Sequence, residues 1–178
     1  MAVDGIFITT ELEGDLARRV HAQQLRFDPK MANFLPPHIT LIGSSGAGPI
    51  DSSVPLAELR ARILPVAAAT PAFTLRFGPP ERFVMREIVS LSLDPHGPLR
   101  DLYERLRACG LPMQQAKYPF TPHCTLSLFP ELTTANVKAM LRIREPEPFL
   151  VHTLCVYHTK DPQKPRLLFT APLGPPAA

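Results

Sequence analysis

Hydrophobic and polar positions along this chain switch repeatedly between a period of two and a period near 3.6, and the switches mark the elements. Residues 6–12 (IFITTEL) are rich in β-branched side chains and predict a strand. From Asp15 to Phe27, Leu16, Val20 and Leu25 suit one face of a helix, with Gly14 and Asp15 at the join. Beyond Pro29, MANFLPP leads into the short apolar run HITLIG, which the turn-forming GSSGAGP closes. A helix is expected from Pro55 to about Ala68, with Leu56, Leu59 and Ile63 at helical spacing and Pro65 shortening or kinking it. FTLRF at 73–77 and EIVSLSL at 87–93 predict two further strands across a Gly-Pro-Pro turn.

The same order then starts again. Residues 98–109 (PLRDLYERLRAC) put Leu99, Leu102 and Leu106 on one stripe and stop at Gly110 and Pro112. A strand is expected over 122–129, a helix from Thr133 to Arg144, and closing strands over 149–159 and 166–171 around the turn DPQKP. The final GPPAA reads as a frayed tail, so residues 1–174 are expected to form a single two-lobed domain, with 175–178 flexible.

Each half thus runs strand, helix, strand, and each second strand opens on the same signature, Pro-His-x-Thr-Leu. It stands at Pro37-His38-Ile39-Thr40-Leu41 and again at Pro122-His123-Cys124-Thr125-Leu126. A chance second copy is on the order of a one-in-a-hundred event for this composition. Side chains at i and i+2 of a strand share a face, so each copy presents an imidazole and a hydroxyl ~6.5 Å apart while its apolar residues face inward. An imidazole with an ordinary pKa of about 6.5 serves as acid or base near neutrality, and a pair can be held with one neutral and one protonated. Threonine hydroxyls donate to nonbridging phosphate oxygens, where negative charge must be stabilised during transfer.

Composition narrows the setting. With 45% hydrophobic and 20% charged residues the 178-residue chain is that of a folded protein, and a net charge of +3 favours an anionic substrate without marking a duplex-binding surface. Cys109, Cys124 and Cys155 are odd in number and form no CxxC, which predicts free thiols and a reducing, cytoplasmic setting. The N-terminal residues lack the pattern of a signal peptide, and no apolar run reaches the length of a membrane span.

Paired HxT motifs on strands, one in each half of a chain of this size, resemble the two-histidine (2H) phosphoesterase superfamily, which includes the bacterial 2'-5' RNA ligase, or RNA 2',3'-cyclic phosphodiesterase, proteins. The resemblance covers nearly the whole chain. It implies an α+β fold in which two pseudo-symmetric lobes of antiparallel-rich sheet, with outer helices, face a central cleft. It matches His38 and His123 to the catalytic histidines and Thr40 and Thr125 to the phosphate-binding hydroxyls. Hydrolysis of a 2',3'-cyclic phosphate to a 2'-phosphate is implied, one histidine activating water and the other protonating the departing 3'-oxygen, with no cofactor and no metal; we assign His38 as proton donor and His123 as acceptor, a pseudo-symmetric pair that can run in either direction. Reversible 2'-5' RNA ligation, cleavage of 2'-5' linkages and opening of ADP-ribose cyclic phosphate share the same chemistry, and a noncatalytic RNA-binding module is the alternative of another class.

The remaining candidates are weaker. Tyr118 and Phe120 stand just before the second motif, where an aromatic side chain can stack on a base, although core packing suits at least one of them better. Tyr118 is retained as a substrate contact. His152-Thr153 and His158-Thr159 put histidine and hydroxyl on opposite strand faces and fail the geometry, while Tyr157 and His158 border a possible groove. Lys117, Arg86 and Lys160 are possible phosphate contacts, His21 and His96 are expected to be solvated, and a monomer is the expected state.

Overall fold

The computed structural model describes residues 3–43, 45–83, 87–128 and 133–176. The first predicted strand, Asp4–Glu11 (β1), lies at the centre of a six-stranded sheet. On one side it pairs with Thr153–Lys160 (β10), which pairs in turn with Arg166–Pro172 (β11). On the other side it pairs with His38–Ile42 (β2) and with Ala47–Ile50 (β3), and β3 continues the sheet to Met113–Gln115 (β7). Every pairing is antiparallel. A three-stranded antiparallel sheet is built from Pro80–Arg82 (β5), Val89–Ser92 (β6) and His123–Ser127 (β8). Phe73–Leu75 (β4) and Phe149–Val151 (β9) form a two-stranded pair.

Helices cover the core side of these sheets: Gly14–Phe27 (α1), the short Pro29–Ala32 (α2), Leu56–Ala68 (α3), Pro98–Arg107 (α4) and Thr134–Met140 (α5). The two crossover helices exchange partners. Helix α1, from the first half, packs on β8, and α4, from the second, packs on β2. Between the two sheets β2 lies against β8. The core is aliphatic, with Ile8, Ile39, Leu41, Leu91, Leu99, Leu102, Leu106 and Leu126 fully buried. Each such side chain contributes roughly 1.5–3 kcal/mol relative to exposure.

The departures from the predicted elements have local causes. In α1 the buried stripe is Leu16, Val20 and Gln24, and Leu25 faces solvent. Gln24 is drawn inward because its amide nitrogen donates to the Thr125 carbonyl at 2.7 Å. In α3 the stripe is Leu59, Ile63 and Ala67, which leaves Leu56 exposed at the helix entrance. That helix runs through Pro65 to Ala68, since both Pro65 and Ala61, whose carbonyl loses its partner, lie on the exposed side.

The segment expected only to turn after HITLIG also supplies β3. Gly46 takes a positive φ of 75° there, and Gly48 lets the backbone approach Gln114 so closely that a Cβ would collide with its carbonyl oxygen. The run 149–159 divides at His152, whose carbonyl accepts from the Leu173 amide at 2.8 Å, so β9 and β10 join different sheets. Helix α5 ends at Met140 and tightens into i→i+3 bonds from Arg142 and Ile143. The Gly174 amide donates to the Ala67 and Thr70 carbonyls at 3.2 and 2.8 Å, so the predicted tail is held at its first residue, while its last two residues lie outside the described residues. The strand expected to reach Phe129 ends at Ser127, and Phe129 lies outside the described residues.

Candidate active site

Both signature histidines begin their strands, and the two strands are built alike to the level of single hydrogen bonds. In β2, His38 lies opposite Glu11, Ile39 opposite Thr10 and Thr40 opposite Thr9, after which the register shifts and Ile42 meets Ile8. In β8, His123 lies opposite Ser92, Cys124 opposite Leu91 and Thr125 opposite Ser90, after which the register shifts and Ser127 meets Val89. The entry is also duplicated. The Leu12 amide donates to the Pro37 carbonyl at 2.9 Å, and the Leu93 amide donates to the Pro122 carbonyl at 3.3 Å. An irregularity at the same place in both ladders bends each strand just past its threonine, a common device beside active sites.

This pairing turns His38 and Thr40 to one face and Ile39 to the core, as predicted, and does the same for His123, Thr125 and Cys124. All four polar side chains are half-buried, whereas Ile39 and Cys124 are wholly buried. The Cys124 sulfur is within hydrogen-bonding reach of the His38 backbone, and burial pushes its thiol up to about 12, so it is inert at neutral pH.

The ring orientation of the histidines follows from one repeated contact. Nδ1 of His38 is 2.8 Å from the Pro36 carbonyl oxygen, and Nδ1 of His123 is 2.7 Å from the Thr121 carbonyl oxygen. A carbonyl only accepts, so each Nδ1 carries hydrogen and donates, and Nε2 is left as the working nitrogen. Burial pushes His38 below its ordinary pKa, opposed by the Pro36 carbonyl and by the charge of Glu11. Burial does the same to His123; the Thr121 carbonyl opposes it, and the nearby charge of His38 adds to it. The charge of His38 thus reaches the His123 imidazole.

The flanks of the pair differ. Beside His123 the Phe83 ring stands edge-on, with centroids 5.1 Å apart and planes at 77°. Beside His38 the Glu11 carboxylate accepts the Tyr157 hydroxyl at 2.5 Å and also engages the Cys155 thiol. Past Glu11 the sheet opens into a cavity of about 190 Å³, bounded by Glu13, His152, Thr153 and Thr170. His152 bridges Glu13 and Thr153, at 3.0 and 2.9 Å, and His158 faces Asp4 at 2.9 Å; both histidines are thereby spent on structural contacts.

Of the other sequence candidates, Phe120 stacks on Tyr103 in the core with centroids 4.0 Å apart. Tyr118 is exposed on the loop before β8, and its carbonyl accepts from the Gly46 amide at 2.8 Å. Lys160 lies 3.6 Å from Asp4, Lys117 is exposed, and Arg86 lies outside the described residues. His96 is exposed, whereas His21 is half-buried, with a buried Nδ1 that finds no hydrogen-bond partner among the described residues. Glu11 and Phe83 were not legible as site residues, because only strand pairing and a loop return bring them to the histidines. Among the described residues no three His, Cys, Asp or Glu side chains gather as a metal-binding group. No helix among them is long and apolar enough to cross a membrane.

The chain matches solved structures across almost its whole length at low identity. Against Escherichia coli LigT complexed with 3'-AMP it is 19% identical, with a TM-score of 0.59, covering 97% of this chain and 99% of that one. LigT complexed with NADP+ gives 18% identity and a TM-score of 0.59, with 96% and 98% covered. The protein TT0787 of Thermus thermophilus gives 18% identity and a TM-score of 0.65, with 98% and 99% covered. These likenesses establish the fold, an α+β architecture of antiparallel sheets shared with LigT. No curated protein sequence shows significant similarity to the chain. Residues 12–163, which include both signatures, match the family model of the 2'-5' RNA ligase superfamily, and the chain belongs to that superfamily of two-histidine phosphoesterases and ligases.

Proposed function

We propose that the protein hydrolyses 2',3'-cyclic phosphate ends of RNA or of nucleotides to 2'-phosphates without a metal, using His38 as proton donor and His123 as proton acceptor. The observation that carries this reading is the matched pair of Nδ1–carbonyl contacts, which leaves one Nε2 on each strand to handle a proton. In the proposed step a water oxygen attacks phosphorus and loses its proton to His123 Nε2. The phosphorus–O3' bond breaks, and O3' takes the proton of His38 Nε2. Thr40 and Thr125 donate to the nonbridging oxygens as charge builds on them. Tyr118, exposed on the loop that leads into β8, is proposed as a stacking contact for a base.

The family's 2'-5' RNA ligase model supports a second reading on the same site, cleavage or reversible formation of a 2'-5' linkage, in which the histidines exchange roles with the direction of reaction. The test is hydrolysis of a 2',3'-cyclic nucleotide and of a short RNA ending in one, with EDTA present. The intact protein is expected to form the 2'-phosphate, and His38→Ala and His123→Ala are each expected to lose roughly 10²–10⁴-fold in rate. Absence of product between pH 5 and 9 rejects cyclic-phosphate hydrolysis and moves 2'-5' linkages ahead.

A further inference from the structure

The near-identity of the two strand pairs makes one chemical difference between them conspicuous. Opposite His38 stands a carboxylate, Glu11; opposite His123, in the same register, stands a hydroxyl, Ser92. The Ser92 hydroxyl donates to the Pro79 carbonyl at 2.8 Å. Glu11 is held in place instead, because it accepts the Tyr157 hydroxyl at 2.5 Å and the Cys155 thiol. Both donors come from β10, where Cys155 pairs with Thr9, and Tyr157 pairs with Phe7 on the same sheet face.

We propose that Glu11, locked by Tyr157 and Cys155 opposite His38, is a positioning residue that favours the protonated form of His38 over that of His123 and so gives the histidine pair its direction. It acts through His38 and need not touch substrate. The proposal rests on the phosphodiesterase reading above and assigns a role within that site.

The groups facing His38 among the described residues are few. Strand β1 contributes Glu11 and β8 contributes His123; Tyr157 and Cys155 of β10 act on Glu11, and the Cys124 thiol, on the core face, reaches only the His38 backbone. Burial raises the Tyr157 hydroxyl above its ordinary range, so it stays protonated and keeps donating, and burial likewise pushes Cys155 up to about 12. Among these groups only Glu11 supplies negative charge near neutrality. Because burial already depresses His38, loss of the carboxylate leaves the imidazole protonated only at lower pH.

The sign of the test follows. A donor must be protonated, so its titration forms the alkaline limb of the pH–rate profile. Glu11→Gln is expected to move that limb down by roughly one pH unit and to cut kcat about tenfold near pH 7.5, with KM little changed. Glu11→Asp is expected to recover part of the shift, and Tyr157→Phe, which removes one lock, to move the limb the same way by less. A titration of the imidazole resonances by NMR on the full chain, with His96 as internal reference, is the readout independent of substrate. A lowered His38 pKa in Glu11→Gln together with a moved alkaline limb supports the proposal. An unmoved His38 pKa, or movement of the acid limb alone, overturns it. If the intact protein turns over no cyclic phosphate while His38 still shifts, the coupling stands and the substrate reading is what fails.

Discussion

The strand pair β1–β2 and the strand pair β6–β8 share register, a bend past the threonine, a buried partner residue and an anchored imidazole, yet they sit in unlike surroundings. The first is embedded in a six-stranded sheet, whose neighbour β10 holds Glu11 beside His38. The second belongs to a three-stranded sheet with β8 at its edge, and an aromatic ring, Phe83, stands beside His123. A duplicated strand supplies two equal groups, and only their neighbours can make the groups unequal. In this molecule the inequality comes from β10 and from the return of the chain at Phe83.

Variants that remove what the halves share should have the largest effects. Thr40→Ala and Thr125→Ala are each expected to cost on the order of a hundredfold in kcat, the usual loss when one donor to a developing oxyanion is removed. Equal losses would fit a phosphate gripped from both sides; if either variant kept full activity, its hydroxyl would not be a phosphate contact.

Ser92→Glu would erase the difference by placing a carboxylate opposite His123. It is expected to raise the His123 pKa by roughly one unit, so that the acceptor becomes neutral only at higher pH and the acid limb moves up. The rate well down the acid limb should fall about tenfold, while the alkaline limb stays in place. An unshifted acid limb in this variant would count against His123 as the acceptor.

The smallest expected effect lies where the halves are tied together. Gln24→Ala leaves the Thr125 carbonyl without its side-chain donor, and a loss of about 1–2 kcal/mol in urea unfolding is expected, with the limbs of the pH profile unmoved. An unchanged midpoint would show that water replaces the amide at no cost.

The histidines and threonines were legible because a strand enforces its own alternation: once HxT is placed on a strand, the faces of His38, Thr40, His123 and Thr125 follow without tertiary knowledge. The stripe Leu99, Leu102 and Leu106 was legible for the equivalent reason in a helix. Glu11 was hidden because its partners are set by pairing with β10, far along the chain. Gln24 looked like surface and Leu25 like core until the Thr125 carbonyl supplied a partner for an amide. The split at His152 depended on two sheets competing for one run of β-prone residues, which no local pattern reveals.

The exchange of crossover helices, α1 onto β8 and α4 onto β2, has a mechanical consequence. Neither half owns the helix that braces its own histidine strand, so a fluctuation that pulled the sheets apart would have to strip a helix from each. The span between the two imidazoles is therefore a gauge of set width; on the proposed mechanism a reacting group would be accepted by fitting it, and selectivity among longer molecules would fall to the loops around its rim.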